Sequence, residues 1–182
     1  PMAQHLAAAG LLSIVGNRSL QKVTDFVATH EHIHGASGPQ DFLNCDVVIL
    51  NVSLDTDVLQ NVHALAEVLQ PGSIVMDHST VSVQTAREAA ACLAAKGIGF
   101  VDAPVSGGVE GSRNGKLSVM VGAEADALER VMPLLNTYAA RVTHMGEVGS
   151  GQATKAVNQI MVAGINEAVC EALALAEALQ LD

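Results

Sequence analysis

Two short stretches carry residue types suited to chemistry. The first, D-A-P-V-S-G-G-V-E-G over residues 102–111, closes an apolar run with an aspartate, a proline and the triplet Ser106-Gly107-Gly108. Three successive backbone amides without bulky neighbours form a concave anion trap, and a carboxylate fits it without any lysine. The same glycines also suit a plain loop of turns, and spacing leaves both readings open. The second stretch, Gly149-Ser-Gly-Gln-Ala-Thr-Lys155-Ala-Val-Asn158-Gln159, is a glycine-rich turn opening a helix. Lys155 shares a helix face with Asn158, three residues on, and with Gln159, four on. A lysine in the first turn of a helix opposes the macrodipole. A residue set against local preference is a candidate for function, although an isolated lysine is ordinarily a solvated surface charge.

The elements that must position these stretches alternate along the chain. Apolar runs at 11–15, 46–51, 73–76, 99–101 and 117–121 read as strands, with a last short one at 141–144. The 46–51 run, DVVILN, is continuous, as in strands buried on both faces of a parallel sheet. Helical patterns cover 1–10, 19–28, 57–69, 85–96 and 125–135, with stops at Gly10, Pro71-Gly72 and Gly97. A long helix is expected over 152–179, with Val157, Met161, Ile165, Val169 and Leu173 at steps of four. It would span roughly 42 Å, and its apolar stripe extends beyond what one small sheet can cover. This order predicts an α/β fold: a doubly wound, mostly parallel sheet with helices on both faces. Right-handed crossovers would then set every strand's carboxyl end along one edge.

Composition narrows the function classes. With 49% hydrophobic and 15% charged residues the chain is not disordered. Nine Lys and Arg against nineteen Asp and Glu give a net charge of −10 with no basic patch, so nucleic acid is not an expected partner. Apolar runs such as 46–52 are too short to cross a bilayer and no secretory signal opens the chain, so no membrane partner is expected. Cys45, Cys92 and Cys170 are widely spaced and set among apolar residues, which suggests buried free thiols in a reducing cytoplasm. His30-Glu-His32-Ile-His34 reads as a surface strand edge rather than a metal tract, and no metal site is expected.

The order of three motifs resembles a family. D-A-P-V-S-G-G-V-E-G with G-K-L-S-V-M-V-G, then G-S-G-Q-A-T-K-A-V-N-Q, and the turn Asp77-His78-Ser79-Thr80 are similar to those of the β-hydroxyacid dehydrogenases. These are the 3-hydroxyisobutyrate, tartronate semialdehyde and glyoxylate/succinic semialdehyde reductase types. The resemblance implies a Rossmann-like dinucleotide-binding domain over 1–150 lacking its first strand and glycine loop. It also implies an interdomain helix over 151–182 leading to an all-helical domain beyond this chain. A chain without the glycine loop is expected to bind NADP(H) weakly and to turn over little. Val83 stands where the family's D-x-S-T-x-x-P pattern has proline. Asn158-Gln159 replaces the His-Asn pair of 6-phosphogluconate dehydrogenases, which argues against a phosphorylated sugar acid. Imine reductases share the scaffold but typically lack the lysine.

The implied reaction is hydride transfer between a nicotinamide cofactor and a small β-hydroxy acid or its semialdehyde. Lys155 would be the general acid and base, Ser106, Gly107 and Gly108 would hold the substrate carboxylate, and Asn158 its hydroxyl. Thr80 would contact the nicotinamide side. Gly16-Asn17-Arg18 offers no acid for a ribose 2′-hydroxyl, while an arginine fork matches a 2′-phosphate, so NADP(H) is favoured over NAD(H). The apolar stripe of the long helix implies a homo-oligomer. The alternatives are a non-catalytic fragment or interaction module, and an imine reductase.

Overall fold

A computed structural model describes residues 1–181. Three short apolar runs form one side of its main sheet: β3 (Val47–Leu50), β4 (Ile74–Asp77) and β5 (Gly99–Asp102) pair in parallel. Successive side chains of a strand point to opposite faces, and this period sorts the core into two clusters. Val48, Leu50 and Val75 face α3 (Asp55–Ala66) and α4 (Val83–Ala94), where Val58, Val62, Ala89 and Leu93 close the first cluster. Ile74, Met76 and Val101 face α1 (Met2–Ala8) and α6 (Ala125–Leu135), where Leu6, Val131 and Leu135 close the second. Helices therefore cover both faces, and the fold is Rossmann-like, as the alternation of patterns predicts.

Two expectations about the strands change. β3, the edge of its sheet, is buried only at alternate residues: Val48 and Leu50 belong to the first cluster, while Val47 and Ile49 on the other face are only partly buried against the second. After β5, Pro104 and β6 (Val105–Ser106) prolong the strand; β6 pairs antiparallel with β7 (Leu117–Gly122), and β8 (Ala139–Gly146) lies parallel to β7. β7 and β8 thus run against β3, β4 and β5, so the strands do not all end on one edge. Only residues 107–116 separate β6 from β7, and a parallel crossover needs about a dozen residues or more. β1 (Ile14–Val15) and β2 (His34–Gly35), with α2 (Leu20–Val27) between them, pair in parallel with each other in a separate two-stranded sheet.

α7 (Ser150–Ala178) has 29 residues, of which only Gly151, Gln152 and Lys155 are buried. Beyond them Val157, Ile160, Met161, Ile165, Val169 and Leu173 are all more than half exposed. With a mean hydropathy of 1.3 over 18 residues, α7 is long and apolar enough to cross a membrane by length and composition alone. That corrects the expectation that every apolar run is too short, although its first turns are built into this domain. Cys170 lies on the uncovered part of α7 and is exposed, while Cys45 and Cys92 are half-buried, so the thiols are free but not buried. Asp182, the last residue of the expected 151–182 segment, lies outside the described residues.

Candidate active site

The 102–108 segment leaves the carboxyl edge of β5 and turns at two glycines. Gly107 adopts φ 128°, and Gly108 φ 62°, both in the region that L side chains rarely occupy. A Cβ at Gly107 would lie 3.3 Å from the Leu117 side chain; one at Gly108 would meet nothing within 4 Å and would project into open space. Neither amide donates a backbone hydrogen bond among the described residues, so both remain available to an anion. α5 (Gly108–Arg113) follows, and His5 of α1 steadies it with Nε2 3.0 Å from the Ser112 carbonyl.

Facing this turn, α7 delivers Lys155. The side chain is buried, and Nζ donates to the Val105 carbonyl at 2.8 Å. Burial holds its pKa below the ordinary lysine value. The helix begins at Ser150 rather than at 152, so Lys155 is its sixth residue and sits in the second turn. The macrodipole is felt chiefly within the first turn; desolvation, not the helix end, depresses this amine.

A cleft of about 540 Å³ joins these pieces, lined among others by Ser106, Gly107, Gly108, Lys155, Gln159 and Val162. Four of the residues singled out from sequence thus meet in one place. Asn158 does not line it; its Nδ2 lies 3.3 Å from Gln159 Oε1. Helical phase explains the exchange, since at about 100° per residue position i+4 lies about 40° from Lys155 and i+3 about 60° on the other side. Asn51, Ser112 and Val162 also line the cleft, and no motif marked them. Thr80, exposed in the turn before α4, and Asn17 and Arg18, exposed after β1, lie outside its lining. Asn17 Oδ1 accepts from the Ser19 amide at 2.8 Å and shapes the turn that presents Arg18.

Beneath the site lies a buried polar layer. His78 Nδ1 is 2.6 Å from the Ala103 carbonyl, and Nε2 is 2.8 Å from the Tyr138 hydroxyl. A carbonyl only accepts, so Nδ1 carries the proton and Nε2 accepts from the tyrosine. Burial lowers the His78 pKa to about 4, which keeps the ring neutral. His78 is therefore a core tie between the end of β4, Ala103 after β5 and the turn from α6 to β8.

The family description "NAD binding domain of 6-phosphogluconate dehydrogenase" matches residues 1–146. The chain belongs to this family. It is similar over its whole length to an uncharacterized oxidoreductase of Shewanella frigidimarina, 39% identical over 188 residues and 64% of that protein. It is 34% identical over 181 residues to a probable 3-hydroxyisobutyrate dehydrogenase of Mycobacterium tuberculosis, all of this chain and 61% of that one. The solved structure of Mycobacterium tuberculosis 3-hydroxyisobutyrate dehydrogenase with L-serine superposes with a TM-score of 0.93 at 32% identity, covering 100% of this chain and 62% of that one. The chain thus spans less than two thirds of the length of these relatives.

In this NAD-binding domain the carboxyl end of β4 carries a further buried acid. Asp77 has no exposed surface; Oδ1 accepts from the Ser79 amide at 2.9 Å and Oδ2 has no hydrogen-bond partner among the described residues. Burial, chiefly, and the Asp102 and Asp55 charges hold its carboxyl above the usual range, against the hydrogen bonds from Ser79. The folded state then binds this proton more tightly than the unfolded state, so stability falls as pH rises from the ordinary carboxylate range through the raised value. Asp77→Asn removes that titration. Its melting temperature relative to wild type is expected to climb as pH rises above the ordinary carboxylate range, because the variant has no buried carboxyl there to lose its proton. Scanning calorimetry from that range upward checks it; a constant difference would show that Asp77 binds protons equally in both states.

Proposed function

We propose that this protein transfers a hydride reversibly between a nicotinamide cofactor and a small β-hydroxy acid or its semialdehyde. The observation that carries this reading is the buried Lys155 ammonium, 2.8 Å from the Val105 carbonyl, in one cleft with the 106–108 turn. A carboxylate seated on the Gly107 and Gly108 amides, the Ser106 amide being taken up in pairing with Ser118 of β7, would bring the reacting carbon of a three- or four-carbon acid within reach of the lysine. The Ser106 hydroxyl adds a donor there, and Asn158 or Gln159 one for the substrate hydroxyl. During reduction Lys155 gives its proton to the carbonyl oxygen as charge develops on it; during oxidation the neutral amine takes that proton back. L-serine, named with the Mycobacterium tuberculosis relative, is itself a β-hydroxy acid and supports the substrate class.

The bound cofactor would supply the hydride. Membership of an NAD-binding family supports a dinucleotide, and Asn17, Arg18 and Thr80 are the residues of this chain offered to it. Arg18 is exposed and joins no hydrogen bond or ion pair among the described residues, so its fork is available to a 2′-phosphate, which favours NADP(H). The test is a panel of β-hydroxy acids and semialdehydes run with NADPH and NADH on the full-length protein. Turnover of short acids with a free carboxylate is expected. Turnover of cyclic imines alone would move the protein to the imine-reductase reading, and none at all to a non-catalytic module.

The exposed stripe of α7 supports a homo-oligomer. Val157, Met161, Ile165, Val169 and Leu173 recur every fourth residue, and a second copy presenting the same stripe would cover it. Light scattering is expected to give a dimer or larger; a monomer at high concentration that binds no hydrophobic dye would contradict this.

A further inference from the structure

Asp102 closes β5 with no exposed surface, and its two carboxylate oxygens are divided between two amides of another element. Oδ1 accepts from Gly149 N at 2.7 Å, and Oδ2 from Gln152 N at 2.8 Å. Gly149 is the residue before α7 and has no side chain to cap it, so an acid 47 positions away does so. The fit is close. A Cβ at Gly122 would land on this carboxylate and 2.8 Å from the Glu147 carbonyl. One at Gly151 would lie 2.8 Å from Oδ2 and 2.5 Å from the Met120 carbonyl. Three residues further along the strand segment, the Val105 carbonyl receives Lys155 Nζ. The segment 102–105 therefore grips the helix segment 149–155 at both ends, and the two tethers close a ring through Lys155.

We infer that Asp102 is the positioning residue of Lys155: by capping α7 from the end of β5 it fixes where the ammonium sits against the 106–108 turn. Gln152 is a separate tie on the same helix. It is buried, its Nε2 donates to the Ser79 carbonyl at 2.7 Å, and its Oε1 accepts from the Val81 amide at 3.2 Å. Those bonds lead to the β4–α4 turn and not to the strand that receives the lysine. The inference deepens the proposed role of Lys155 as proton donor, but its test does not depend on turnover.

The experiment is an NMR titration of lysine Cε and Nζ resonances in the full-length protein and its Asp102→Asn, Asp102→Ser and Gln152→Leu variants, with melting curves to establish folding. Asp102→Asn keeps the side chain's size but sets an amide NH₂ against one of the two N–H donors. Asp102→Ser is smaller and retains one oxygen, so it serves where the asparagine variant does not fold. Burial depresses Lys155. Loss of a carboxylate charge can only leave a lysine midpoint where it is or lower it, so a raised midpoint reports movement of the amine out of its seat. The expected result is an upward shift of about half a pH unit or more in an Asp102 variant, a threefold or larger change in proton affinity. Gln152→Leu is expected to lower the melting temperature without that shift. A midpoint unchanged or lowered in the folded Asp102 variant, or raised equally by Gln152→Leu, overturns the inference. If the shift appears but Lys155→Ala retains full activity, the positioning holds and the proton-donor reading fails.

Discussion

Replacing Lys155 by alanine is expected to lower the rate of carbonyl reduction by about 10²–10⁴-fold while affinity for NADPH stays near wild type. The side chain is aimed at the 106–108 turn, so its loss removes a proton donor from the reacting oxygen and nothing from the dinucleotide. Lys155→Arg is not expected to restore the rate, because a guanidinium does not release its proton near neutral pH. The pH profile gives a second reading of the same residue. Burial depresses the amine, so the protonated donor needed for reduction is lost as pH rises through that lowered value, and the rate falls. Oxidation needs the neutral amine and rises over the same window. Both limbs flatten in the alanine variant. Steady-state kinetics in both directions decide the matter: a variant keeping more than about a third of the wild-type rate places the donor elsewhere. In the same assays Gln159→Ala, from the cleft wall, is expected to raise the KM for the acid more than Asn158→Ala, from beside it.

Arg18→Ala is expected to weaken NADPH by roughly tenfold to over a hundredfold and to leave NADH nearly untouched. A charge-assisted hydrogen bond to phosphate contributes about 1.5–3 kcal/mol, and only the 2′-phosphate distinguishes the two cofactors. The turn holding Arg18 is shaped by Asn17 and not by the arginine, so truncation leaves the backbone in place. Calorimetric titration with both dinucleotides measures the ratio. Equal losses for the two would remove Arg18 from 2′-phosphate recognition.

Local patterns made much of this legible. The 106–108 turn and Lys155 are each written in about ten consecutive residues, and their spacing survives folding because each sits on one strand end or one helix. The helices over 57–69, 85–96 and 125–135 follow from apolar stripes long enough to show a period, and α6 begins and ends where the pattern does. What escaped depends on neighbours distant in sequence. α5, G-V-E-G-S-R, holds two glycines in six residues and is helical against its own propensity, packed beside β7 and tied by His5. β2 and β6 have two residues each, too few to show alternation. Asp102 was legible as the end of a strand, but its service as a cap for α7 depends on Gly122 and Gly151 leaving room for it. Gln159 rather than Asn158 reached the cleft because the choice turns on some tens of degrees of helical phase, which a face assignment does not resolve.

α7 is, mechanically, a cantilever. Its 29 residues give a rod of roughly 43 Å, and every buried residue of it falls within the first six positions. A tilt of about 5° at such a root swings the tip by about 4 Å, yet displaces an atom one turn from the pivot by only about half an ångström. Whatever bears on the outer two thirds of the rod therefore has ample travel, while the amine near its root stays almost still. Rotation about the rod's own axis is different: it turns Lys155 as far as it turns the tip. Protection of the site against bending thus coexists with sensitivity to twist, and the Val105 carbonyl at 2.8 Å is the bond that a twist would strain first.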